Sequence, residues 1–135
     1  MSIKMIHHIC IQTESYKDSL NFYKDILGFK VINETKNFHG REYNTWLKLE
    51  NFMIELQTPK SNDNFKKWSN LNAGPVHIGF IVDNVEDEYE RIRNLGYTNF
   101  KVKNGEIVYK VEGESLFKIK APEGTEIEIR DTDIK

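Results

Sequence analysis

A chain of 135 residues holds one compact domain or two small modules sharing a core. Hydrophobic content of 39%, charged content of 30% and a net charge of −2 describe a globular protein without a basic footprint, so nucleic acid is not expected as a partner. The single cysteine, Cys10, excludes an internal disulfide, and with no signal-like or membrane-length apolar run a cytoplasmic protein with no membrane partner is expected.

The first strand is Ile6-His7-His8-Ile9-Cys10-Ile11. Thr13 or Ser15 then caps a helix with Tyr16, Leu20, Tyr23 and Leu27 at helical spacing, stopped by Gly28. Residues 29–33, 43–49 and 51–57 read as strands, the last two joined by a tight turn near Glu50-Asn51. Residues 58–74 form a polar connector in which Phe65 and Trp68 are apolar enough to pack. Val76-His77-Ile78-Gly79-Phe80 is the next strand. Asn84 caps a helix with Val85, Tyr89, Ile92 and Leu95 on one face, stopped by Gly96. Short strands follow at 100–103, 108–111 and 116–120, and residues 126–130 close the chain.

One supersecondary unit is therefore written twice. The histidines His8 and His77 are 69 positions apart, and Leu27-Gly28 precedes Leu95-Gly96 by 68. Each half reads β-α-β-β-β, module 1 over about 5–57 and module 2 over about 75–131, within one α+β domain spanning 1–135.

Strand parity selects four residues. Side chains alternate faces along a strand. Ile9 and Ile11 oppose His8, Cys10 and Gln12; Ile54 and Leu56 oppose Glu55. Ile78 and Phe80 oppose His77; Ile127 and Ile129 oppose Glu126, Glu128 and Arg130. If each aliphatic set packs on a helix, His8, Glu55, His77 and Glu128 share the other face of a curved sheet. A carboxylate in an apolar strand is costly unless paired or metal-bound. Two His and two carboxylates suit a divalent metal with open positions.

The doubled layout resembles the vicinal oxygen chelate superfamily, which includes glyoxalase I, methylmalonyl-CoA epimerase, fosfomycin-resistance proteins and extradiol dioxygenases. The resemblance covers about Met5 to Asp131. It rests on His8-Ile9-Cys10-Ile11, Phe22-Tyr23 and Leu27-Gly28-Phe29 of the first helix, Ile54-Glu55-Leu56, Pro75 to Phe80, and Pro122 to Ile129. It implies a curved eight-stranded cup, one divalent ion (nickel, cobalt, manganese or zinc) on His8, Glu55, His77 and Glu128, and no other cofactor. It also implies a lyase or isomerase acting on a small α-hydroxy carbonyl compound or thiol adduct through an enediolate. Glu128 is then the catalytic base and Glu55 its counterpart; in an epimerase-like racemase the two glutamates act from opposite faces. Gln12 stands where glutathione-dependent members carry an arginine. A drug-sequestering binding protein of the same fold is the alternative class. A homodimer is expected, because each module exposes sheet edges.

The remaining candidates carry less. His7 is expected at the helix side or the strand end in a structural role, and His39 in a loop. Arg41 and Arg130 are candidates for an anionic substrate group, and Trp46 for the cup wall. Cys10 is a small wall residue without an activating neighbour. Glu86-Asp87-Glu88 complements a helix dipole. Glu126 is expected to be more exposed than Glu128.

Overall fold

Alternation builds the first sheet. In β1 (His8–Gln12) Ile11 is buried while His8, Cys10 and Gln12 stay open, and in β4 (Phe52–Gln57) Ile54 and Leu56 are fully buried. β1 pairs with β4 in parallel. β4 pairs antiparallel with β3 (Arg41–Leu49), and β3 with β2 (Lys30–Phe38), giving the order β1-β4-β3-β2. The computed structural model describes residues 1–134. It divides into two compact units, Met1–Lys66 and the stretch from Lys67 onward, the boundary falling inside the expected connector.

The second unit repeats the plan. β5 (His77–Ile81) leads to α2 (Val85–Asn94), then β6 (Tyr109–Val111), β7 (Glu114–Lys120) and β8 (Glu126–Arg130), in the order β5-β8-β7-β6 with β5 and β8 parallel. The fold is thus α+β, with two βαβββ modules as two four-stranded mixed sheets. Each unit has its own core. Phe22, Tyr23, Phe29, Leu47, Ile54 and Leu56 fill the first; Val85, Ile92, Phe117, Ile119, Ile127 and Ile129 fill the second. No described helix is long and apolar enough to cross a membrane.

The first helix differs from the expected stripe. α1 (Tyr16–Asn21) continues as a π-helical turn, Phe22–Ile26, in which Leu27 N–H donates to Phe22 O at 3.1 Å. The buried stripe is Ser19, Phe22, Tyr23 and Ile26, while Leu20 and Leu27 are only half-buried. Ser19 enters the core because its hydroxyl pairs with Thr13 Oγ1 at 2.8 Å, which removes the cost of burying it. Ser15 is the N-cap residue, but its side chain makes no cap bond; Thr13 Oγ1 accepts the Ser15 N–H instead. Gly28 ends the turn at a φ of +87°.

Three other expectations are corrected. Leu95 is 55% exposed, because it is the C-cap of α2 and lies past the buried Val85–Ile92 stripe. Residues 100–103 are not a strand: they run beside β7 with only isolated bridges, Phe100 to Ile119 and Lys103 to Glu106. Glu126 is 1% exposed rather than more exposed than Glu128, because Lys101 from that same segment covers it, with Nζ 2.8 Å from Glu126 Oε1. The expected packing of Trp68 is present, since a Cβ placed at Gly124 would meet Trp68 Cβ at 2.9 Å.

Candidate metal centre

The parallel register creates the first pair. His8 lies opposite Met53 and Cys10 opposite Glu55, so His8 and Glu55 are diagonal neighbours on one face. Their Nε2 and Oε1 atoms are 3.8 Å apart. The second unit repeats the offset: His77 lies opposite Glu126 and Gly79 opposite Glu128, with His77 Nε2 3.8 Å from Glu128 Oε2. Sequence parity paired these four residues correctly within each unit. Among the described residues, no group of three or more His, Cys, Asp or Glu side chains gathers around one point, so the pair is the unit of observation.

Each pair suits a divalent ion. A separation of 3.8 Å exceeds a hydrogen bond. Two donors bound to one ion at about 2.0–2.2 Å each lie roughly 3–4 Å apart. The histidine side chains are 37% and 34% exposed and the carboxylates 17% and 15%, so nitrogen and oxygen both reach an accessible face. No competing cation sits within bonding distance of Glu55 among the described ion pairs, whereas Arg130 Nη1 stands 4.0 Å from Glu128.

The neighbours distinguish the pairs. In the first unit Trp46 lies opposite Glu55, its ring edge-to-face with His8 at 4.8 Å. Cys10 Sγ donates to Gln57 Oε1 at 3.1 Å. Desolvation on the sheet face, with the Glu55 carboxylate adding to it, pushes the Cys10 thiol up to about 11; Arg41 opposes this. Arg41 itself binds Gln12 Oε1 at 3.1 Å and the Thr58 carbonyl at 2.7 Å. His7 sits before the start of β1, exposed, against His8 and Trp46 rather than on the helix side. His39 occupies the two-residue turn between β2 and β3 with Gly40, both at positive φ, its ring against Phe38.

In the second unit Lys118 lies opposite Glu128. Gly79 lies beside the same carboxylate, where a Cβ would stand 3.8 Å from Glu128 Oε2. Arg130 is partly engaged by Glu114, at 3.3 Å. Burial raises the Tyr109 hydroxyl above its ordinary value; Glu128 and Glu126 add to this and Lys101 opposes it. Tyr109 also lines a cavity of about 500 Å³ with Lys103, Asn104, Lys110 and Ser115 among others. Lys101, Tyr109 and Lys118 were missed in the sequence. The signal for Lys118 was available, because Phe117 and Ile119 are both core and their intervening residue must face away.

Known proteins bear on the site. The profile of the Glyoxalase/Bleomycin resistance protein/Dioxygenase superfamily matches residues 5–129. The uncharacterized protein YwkD of Bacillus subtilis (strain 168) is 32% identical over 98 residues, 71% of this chain and 75% of its own length. Glyoxylase I 4 of Arabidopsis thaliana is 26% identical over 137 residues, 98% of this chain and 74% of that protein. The solved glyoxalase family protein from Enterococcus faecalis matches with a TM-score of 0.76 at 23% identity, over 97% of this chain and all of that one. With a superfamily profile running through both His–Glu pairs, this chain belongs to the Glyoxalase/Bleomycin resistance protein/Dioxygenase superfamily.

Proposed function

We propose that the protein is a metal-dependent lyase or isomerase of the glyoxalase I type. Its substrate class is a small α-hydroxy carbonyl compound or a thiol adduct of one. The observation that carries the reading is the His–Glu pair made twice, at the same register and the same 3.8 Å separation. A similarity to Arabidopsis Glyoxylase I 4 along nearly the whole chain supports it.

His8, Glu55, His77 and Glu128 would hold one divalent ion: nickel, cobalt, manganese or zinc. When bound, the ion supplies Lewis acidity that polarises the substrate carbonyl and acidifies the neighbouring C–H. The histidines hold position. Glu128 takes the proton from that carbon and returns it to the adjacent one. Glu55 faces a crowded neighbourhood of Cys10 and Trp46 and acts as the fixed carboxylate. Trp46 and Lys118, each opposite a glutamate, offer an apolar wall and a cationic one for the rest of the substrate.

The reading is tested by metal analysis after chelator-free purification, together with solvent deuterium exchange into 2-oxo compounds and their hemithioacetals. One divalent ion per His8/Glu55/His77/Glu128 set and exchange at the carbon beside the carbonyl are expected. His77→Ala should abolish stoichiometric binding. Wild-type protein without metal and without exchange would leave a binding protein of the same fold. We also propose a cytoplasmic homodimer. Sedimentation at micromolar concentration checks the assembly, and a monomer there would refute it.

A further inference from the structure

We infer that His7 is a positioning residue for His8: its Nδ1 accepts the Nδ1–H of His8 and leaves His8 Nε2 as the bare nitrogen on the Glu55 side. The direction of that hydrogen bond and its purpose rest on the metal reading above; the contact between the two rings does not.

The two Nδ1 atoms are 2.8 Å apart. At that distance one proton must lie between them, since two lone pairs or two N–H groups would repel. On the far side of the same ring, His8 Nε2 stands 3.8 Å from Glu55 Oε1. Two tautomer assignments satisfy the contact. If His7 donates, His8 carries its proton on Nε2 and has no lone pair on the Glu55 side. If His8 donates, Nε2 is free for a cation and the ring is held by a bond to its other nitrogen. Only the second assignment agrees with a histidine that ligates through Nε2. A metal-binding histidine commonly gives its second N–H to such a partner, which fixes both tautomer and ring angle.

His7 is placed to do this although it is exposed. Its carbonyl accepts Met53 N–H at 3.2 Å, which extends the β1–β4 ladder by one rung and anchors its backbone. Trp46 packs edge-to-face on both rings, with centroids 6.1 Å from His7 and 4.8 Å from His8. The second unit has Val76 before its histidine, a side chain with no acceptor. The device therefore belongs to the first pair alone.

Two variants separate the acceptor from the ring. His7→Phe keeps an aromatic ring against Trp46 and removes the acceptor; His7→Gln restores a side-chain acceptor. Nitrogen-15 NMR of the metal-free protein at about pH 8 reads the His8 tautomer. His8 is expected protonated at Nδ1 in the wild type and in His7→Gln, and to shift toward the Nε2–H form in His7→Phe. Titration with nickel ion, followed by isothermal calorimetry, should show affinity about ten- to a hundredfold weaker in His7→Phe and within about threefold of wild type in His7→Gln. An unchanged His8 tautomer in His7→Phe overturns the inference, as does nickel affinity falling equally in both variants. If the wild type takes up none of nickel, cobalt, manganese and zinc, the metal reading fails, and the NMR comparison alone still decides the role of His7.

Discussion

Glu55 and Glu128 are equal in register and unequal in neighbours. Cys10 and Trp46 flank the first, while Gly79 and Lys118 flank the second, with Arg130 at 4.0 Å. In the proposed reaction a carboxylate beside a glycine, with no side chain there to hold it, is the better placed to act as the base, so Glu128 is tested first. Glu128→Gln keeps a ligand oxygen and removes basicity. Metal content is expected to persist while C–H exchange slows at least about a hundredfold, the lower end of general-base contributions. Exchange at the wild-type rate with metal bound would move the role to Glu55. The pairing of these residues was legible because the aliphatic partners of each strand are unambiguous: Ile9 and Ile11, Ile54 and Leu56, Ile127 and Ile129. Glu126 was not legible, since parity gives its face but not its cover. That cover comes from Lys101, twenty-five positions earlier in an irregular segment. Glu126 Oε2 finds no hydrogen-bond partner among the described residues, a cost that a sequence pattern does not reveal.

The two helices show what local rules settle and what they leave to tertiary structure. α2 follows its sequence signals. Asn84 Oδ1 accepts the Asp87 N–H at 2.9 Å, Glu86, Asp87 and Glu88 fill the first turn, and Gly96 follows the end at positive φ. Loss of that single cap bond should cost about 1 kcal/mol, so Asn84→Ala is expected to lower the urea midpoint without changing the denaturant slope. A midpoint equal to wild type would show that the N-terminus of α2 is held by Asp131, whose Oδ2 accepts the Val85 N–H, and not by its own cap. α1 is different. Leu20 and Leu27 sit on its flanks, and its buried stripe includes a serine, tolerable because Thr13 supplies a partner from outside the helix. Hydrophobic periodicity cannot anticipate a polar residue satisfied by a neighbour distant in the pattern. The same limit explains residues 100–103. Their alternation resembles a strand, but Lys101 and Lys120 bond the neighbouring backbone only at intervals, and the paired edge shrinks to Tyr109–Val111.

At the scale of the molecule, the doubled plan was readable from spacing alone, because histidines and helix stops recur at almost the same interval. What spacing could not show is how tyrosine hydroxyls are used to tie elements together. Tyr16 stacks flat on Tyr43 at 4.1 Å, donates to Glu34 Oε1 at 2.7 Å and also contacts Thr45 Oγ1, joining α1 to β2 and β3. Burial is the main reason its hydroxyl lies well above its ordinary value; the Glu34 carboxylate adds to this and Thr45 opposes it. A group whose proton is held more tightly when folded contributes stability fully below its unfolded value, here 10.0, and loses it as pH climbs through the folded one. Tyr109 shifts in the same direction. Unfolding should therefore become easier as pH rises above about 10, where the unfolded chain releases protons that the folded chain retains. Tyr16→Phe removes one such proton together with two hydrogen bonds. It is expected to be less stable than wild type near neutral pH, yet to lose less further stability between about pH 8 and pH 11. Urea midpoints of the two proteins across that interval measure the difference. Parallel losses would mean that the alkaline slope comes from other groups, and that Tyr16 titrates alike in the folded and unfolded chains.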